Sequence, residues 1–173
     1  MGGPPRRILE DVLADEAQVS EALLRLQQAT AELWARIPAF AGMKAMIDEL
    51  SGGAVAVGVW TGRDRCSAEI VLDAHCVREK LIAYVCGDDL PSHKPDPAGL
   101  SAVLRQMSVD PTEAILVGDS EVDVSAGADL GVKTILITHG LIMDTAIQAR
   151  AWRVVKRPVD AYDLLRSEVF GQI

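Results

Sequence analysis

The sequence predicts an α/β fold, a doubly wound parallel sheet flanked by helices, and three observations carry that reading. Short apolar runs at residues 54–60, 81–86, 114–118 and 134–138 alternate with stretches of helical apolar spacing. Runs without polar alternation are what strands buried on both faces look like. Among the 173 residues, 49% are apolar but only 4% aromatic, so the core is aliphatic, which suits parallel strands and helices better than an aromatic-rich sandwich.

Taken in order, residues 4–38 read as helix, with Ile8, Leu9, Val12, Leu13, Val19, Leu23, Leu26, Leu33, Trp34 and Ile37 at helical spacing and a break expected near residues 15–20. A stripe of this kind is a packing face more often than a ligand groove. P-A-F-A-G at 38–42 is a turn, 43–50 a helix stopped by S-G-G, and 54–60 a buried strand ending in T-G-R-D. A helix over 65–74 leads to a third-position strand, L-I-A-Y-V-C at 81–86, closed by G-D-D. The loop L-P-S-H-K-P-D-P follows, its prolines forbidding regular structure on either side of Lys94. Helix 99–107, a turn at 109–112, strand 114–118, helix 120–130 ended by Gly131, and strand 134–138 complete the alternation. Val154 and Val155 suggest a short edge strand before a helix at 162–169.

Composition narrows the setting. No apolar run approaches the roughly 20 residues of a membrane span, and M-G-G-P-P-R-R leads into an amphipathic stretch, not a signal-peptide core. Cys66, Cys76 and Cys86 are odd in number and lack C-x-x-C spacing, so free thiols and a cytoplasmic location are expected. A net charge of −8 argues against a nucleic-acid surface.

The richest stretch is A-I-L-V-G-D-S-E-V-D at 114–123. Its strand delivers Asp119 to the carboxyl rim where open α/β sheets place ligands. Ser120 suits an N-cap, and Asp123 falls in the first helical turn on the same side. Two carboxylates converging there suggest a hard cation such as Mg2+. Thr61 and Lys94 end two other strand–loop units at the same rim, and a hydroxyl, a cation and a two-acid metal site together describe a place for a phosphoryl group.

V-W-T-G-R at 59–63, G-D-D-L-P-S-H-K-P-D-P at 87–97 and I-L-V-G-D-S-E-V-D-V at 115–124 resemble the second, third and fourth motifs of the haloacid dehalogenase (HAD) superfamily, in its phosphoglycolate-phosphatase-like branch. The A-G-A-D-L-G-V-K-T-I-L-I-T-H-G continuation and the P-A-F-A-G-M lead-in are also similar, so that the likeness covers roughly residues 38–165. It implies a Rossmann-like core over 38–173, and a helical segment over 1–37 that resembles part of a cap. It also implies a Mg2+-dependent phosphatase of a small phosphorylated metabolite, working through an aspartyl-phosphate. By the resemblance Thr61, Gly62 and Arg63 would bind phosphate and substrate, and Lys94 would neutralise phosphate and nucleophile. Asp119 would ligate Mg2+ with help from Asp123, and Thr61 and Lys94 form the catalytic set.

The family's first motif, an apolar strand followed by D-x-D-x-T, has no counterpart upstream of Pro38, where Asp11 and Asp15 stand four apart in a helical pattern. The attacking carboxylate is therefore expected to be missing, and with it the strand that in this family lies between those ending at Thr61 and Asp119. The neighbours would then close up, or a segment of this chain, a second copy or a partner chain would fill the position. An inactive HAD-like domain that binds a ligand or protein is the alternative to an enzyme. A dinucleotide-binding, P-loop or receiver domain is disfavoured, because no G-x-G-x-x-G follows a strand and no P-loop or first-strand acid pair is present.

Overall fold

The computed structural model describes residues 5–53 and 55–171. Two helices lead, α1 (Pro5–Glu10) and α2 (Glu16–Ala35). Their break lies at residues 11–15, earlier than the apolar spacing suggests, because Asp15 is the N-cap of α2 and accepts the Ala17 N–H at 3.1 Å. Helix α2 buries only Val19 and packs along α4 (Arg65–Ala74). The turn at 38–42 and helix α3 (Met43–Gly52) follow as expected.

The parallel α/β architecture is as expected, and its strands fall into two parallel sheets, divided where the absent strand was expected. Strand β1 (Gly58–Trp60) pairs with β2 (Ala83–Val85), placing Trp60 opposite Val85. Strands β3 (Ile115–Gly118), β4 (Lys133–Ile137) and β5 (Arg153–Val155) form the second sheet with β4 in the middle. Among the described residues no backbone hydrogen bond joins β1 to β3. The strand expected over 54–60 is accordingly short, since ladder pairing extends only over Gly58–Trp60; residue 54 lies outside the described residues.

Helices hold the two sheets together. The alternation of β1 sends Gly58 and Trp60 toward α5 (Ala98–Met107), where Leu100 and Leu104 also meet Leu116 of β3 and Ala126 and Val132 beyond it. On the opposite face Val57 joins Met46, Leu50 and Tyr162 of α3 and α8 (Pro158–Phe170). Leu165 of α8 reaches from there to the cluster of Ile135, Ile137, Ile115 and Val117. The seam between the sheets shows in burial. Strands β1 and β3 are only half-buried along their length despite apolar side chains, whereas β4, paired on both sides, buries Thr134, Ile135, Leu136 and Ile137.

Two further differences have local causes. Helix α8 begins four residues ahead of the expected start because Pro158 pre-sets its first turn. A short α7 (Thr145–Arg150), not anticipated, is started by Asp144, whose carboxylate accepts the Ala146 N–H at 2.8 Å. No described helix is long and apolar enough to cross a membrane.

Candidate functional site

Two strand-end loops are tied into one floor. The T-G-R-D loop after β1 is anchored by the Thr61 N–H donating to the Val85 carbonyl at 3.0 Å. The Gly87 N–H in turn donates to the Arg63 carbonyl at 2.7 Å. Asp64 caps α4, accepting from Ser67 N–H at 3.0 Å. Asp89 then fastens the second loop, receiving the Arg65 guanidinium on both oxygens at 2.8 and 2.6 Å and the Cys86 N–H at 2.6 Å. Burial would raise the Asp89 carboxyl, yet the Arg65 fork and the Cys86 N–H together hold it below the usual carboxylate value.

From this floor Lys94 crosses the seam. It lies between prolines on the loop after β2, and its Nζ donates to Asp123 Oδ1 at 2.8 Å on α6 (Glu121–Leu130), the helix that follows β3. Asp123 is 5% exposed. Its other oxygen accepts the Ser120 hydroxyl at 2.6 Å and the N–H groups of Ser120 and Asp119 at 3.2 and 3.3 Å, while the Ser120 hydroxyl accepts the Asp123 N–H. This is a capping box with an aspartate at N3. It also explains Gly118: a Cβ there would sit 2.5 Å from the Asp123 carboxyl carbon, so only glycine lets the carboxylate fold back over the strand end.

Between the loops lies a cavity of about 550 Å³, lined among others by Thr61, Gly62, Arg63, Lys94, Ser120 and Trp60. The Thr61 hydroxyl accepts the Arg63 N–H at 3.2 Å, leaving its own hydrogen to donate. An ammonium, a hydroxyl and loop N–H groups around a pocket of this size suit a small anionic group. Asp119 stands apart from the wall. Its side chain is 68% exposed and lies 3.9 Å from His139 Nε2, whose ring stacks on Phe40. The structure thus brings Thr61, Gly62, Arg63 and Lys94 together with Asp123 behind them and leaves Asp119 on the outer rim. Sequence reasoning missed Trp60; His93 also lines the cavity, and its Nδ1 is buried without a hydrogen-bond partner. His75 is structural, its Nε2 bonding the Ile37 carbonyl at 2.8 Å.

The fit to Mg2+ is incomplete. Asp119 offers one free carboxylate, both oxygens of Asp123 are engaged, and no three metal-ligating side chains come together among the described residues. These side chains alone do not make a magnesium site.

Fold and rim together define a parallel α/β chain that gathers a pocket from strand-end loops at its carboxyl edge. More particularly, the haloacid dehalogenase-like hydrolase family matches residues 1–137, and the chain belongs to it. A phosphoglycolate phosphatase of Rhodospirillum rubrum is 31% identical over 101 residues, covering 58% of this chain and 42% of that protein. An N-acetylmuramic acid 6-phosphate phosphatase of Pseudomonas putida is 27% identical over 134 residues, covering 76% and 60%. The chain therefore spans about half the length of these curated relatives. Among solved structures, CbbY from Rhodobacter sphaeroides in complex with phosphate superposes with a TM-score of 0.74 at 19% identity, covering 91% of this chain and 74% of that one. A HAD-superfamily hydrolase of subfamily IA from Geobacter sulfurreducens gives 0.66 at 26% identity, covering 92% and 72%.

Proposed function

We propose that the chain carries the phosphoryl-binding half of a HAD-type phosphatase acting on a small phosphorylated metabolite through an aspartyl-phosphate. The observation that carries this reading is Lys94, braced by Asp123 across the seam and facing a cavity with Thr61 and Gly62. Thr61 and the Gly62 N–H hold the phosphoryl oxygens, Arg63 meets the substrate at the mouth, and Lys94 offsets the charge that gathers on phosphate and nucleophile. Asp123 orients Lys94, and Asp119 contributes one carboxylate toward a Mg2+ site whose other donors come from elsewhere. The domain reading follows the same division, with residues 1–37 serving as part of a cap over a core of 38–173.

The attacking carboxylate belongs on a strand seated between β1 and β3, parallel to both. The reading is supported by the unpaired facing edges of those strands and by their half-burial. In the reaction a carboxylate oxygen bonds phosphorus as the ester P–O bond breaks and the departing oxygen takes a proton; water then hydrolyses the acyl phosphate and releases phosphate. Since these 173 residues do not provide that carboxylate, the chain by itself turns over an aryl phosphate with Mg2+ at or near the background rate. Turnover comparable to that of a complete family member, abolished by Asp119→Ala, would refute the assignment of the nucleophile to a strand outside this chain.

A further inference from the structure

We propose that Trp60 is a positioning residue of this pocket: its indole face carries the Lys94 ammonium that Asp123 pairs with and so helps aim it into the cavity. The inference rests on the reading of the cavity as a phosphoryl site. Lys94 Nζ lies 4.1 Å from the centroid of the Trp60 ring and 2.8 Å from Asp123 Oδ1. A carboxylate and a π face are therefore its two protein anchors, and its remaining direction opens on the cavity that Thr61, Gly62 and Ser120 also line.

The two anchors differ in kind. Asp123 holds the ammonium by cancelling its charge, so on its own it would compete with an incoming dianion for Lys94. The indole is neutral and attracts the cation through its ring quadrupole, fixing the long side chain without reducing the charge it offers. A polar partner in that place would present a lone pair and compete as the carboxylate does.

The fold takes trouble to put the ring there. Trp60 is the last residue of β1, so that Thr61 and Trp60 leave the strand end on opposite faces. The ring packs against the cluster that holds Leu100 and Leu104, and a Cβ at Gly99 would overlap the indole nitrogen. Glycine at the start of α5 is thus the space the indole occupies. Because α5 follows the Lys94 loop directly, the same helix start sets both the ring and the chain that brings the ammonium over it.

The test is calorimetric titration of the chain with inorganic phosphate, comparing the parent, Trp60→Phe and Trp60→Leu, each also in a Lys94→Met background. Loss of the ring face in Trp60→Leu should weaken phosphate about three- to tenfold, with Trp60→Phe between it and the parent. In the Lys94→Met background the three should bind alike, a result that a purely structural role for the ring would not give. In a Trp34→Phe, Trp152→Phe chain, where Trp60 is the one indole left, phosphate should change the emission and Lys94→Met should abolish the change. This emission experiment decides the matter if Trp60→Leu does not fold. Equal affinity of Trp60→Leu and the parent, an equal loss with Lys94 replaced, or silent emission on phosphate binding would overturn the inference and leave the phosphoryl site standing. A parent chain that takes up no phosphate would overturn both.

Discussion

Replacing Asp123 with alanine removes a helix cap and the counter-ion of Lys94 in one step. The carboxylate is 5% exposed and receives Lys94 Nζ at 2.8 Å, the Ser120 hydroxyl at 2.6 Å and two loop N–H groups. Loss of the capping interaction costs about 1 kcal/mol. Leaving the Lys94 ammonium unpaired adds on the order of 1–2 kcal/mol, less than the ~3–5 kcal/mol of a wholly buried pair because that side chain keeps access to water. The sum, about 2–3 kcal/mol, corresponds to a fall in Tm of roughly 5–10 °C for a domain of this size. Asp119→Ala changes the neighbouring acid of the same motif, but its side chain is 68% exposed, and it should alter stability by less than ~0.5 kcal/mol. Asp123→Asn, which keeps the shape and one acceptor oxygen, should fall between. Thermal and urea unfolding followed by circular dichroism read all three. An Asp123→Ala chain as stable as the parent, or an Asp119→Ala chain less stable than Asp123→Ala, would refute the division of labour drawn between the two acids.

Burial and the charge of Asp89 push the Cys86 thiol up to about 11, so at pH 8 roughly one molecule in a thousand carries the thiolate. Titration with an aromatic disulfide should therefore find Cys66 and Cys76, both exposed, reacting fast and Cys86 only on unfolding; three equal rates would contradict this. Asp89 is held below its ordinary value of 3.8, so its contribution to stability is present above that pH and lost as pH falls through the lowered value. Asp89→Asn should lower stability at neutral pH and flatten the acid limb below about pH 4, which unfolding midpoints across pH would show; an unchanged acid limb would mean the Arg65 clamp does not act on folding.

What the sequence made legible was local. The apolar run of β3, Ser120 at the start of α6 and Gly131 at its end are each set within a few residues by burial, capping and backbone conformation. The S-x-x-D spacing of Ser120 and Asp123 already contained the capping box, although the acid reads equally as a metal ligand until its four donors are seen. What was not legible depends on distant pairs. Trp60 and Lys94 are separated by a whole helix and strand, and no periodicity links an indole to the ammonium beside it. The length of β1 likewise depended on its partners. Apolar character predicts a strand over 54–60, but ladder pairing with β2 supports only the last three residues.

The seam between β1 and β3 also has a colloidal consequence. Strands at sheet edges are ordinarily kept from pairing with other molecules by lysines, prolines or bulges. The facing segments here are G-V-W and I-L-V-G, which carry no charge and no proline. They are edges with the composition of a sheet interior. Wherever the position between them is empty, two rows of unsatisfied N–H and C=O groups lie flanked by apolar side chains, and the net charge of −8 opposes the approach of one molecule's edge to the next. Solubility of the chain should therefore fall as salt screens that charge, well before any strand or helix unfolds.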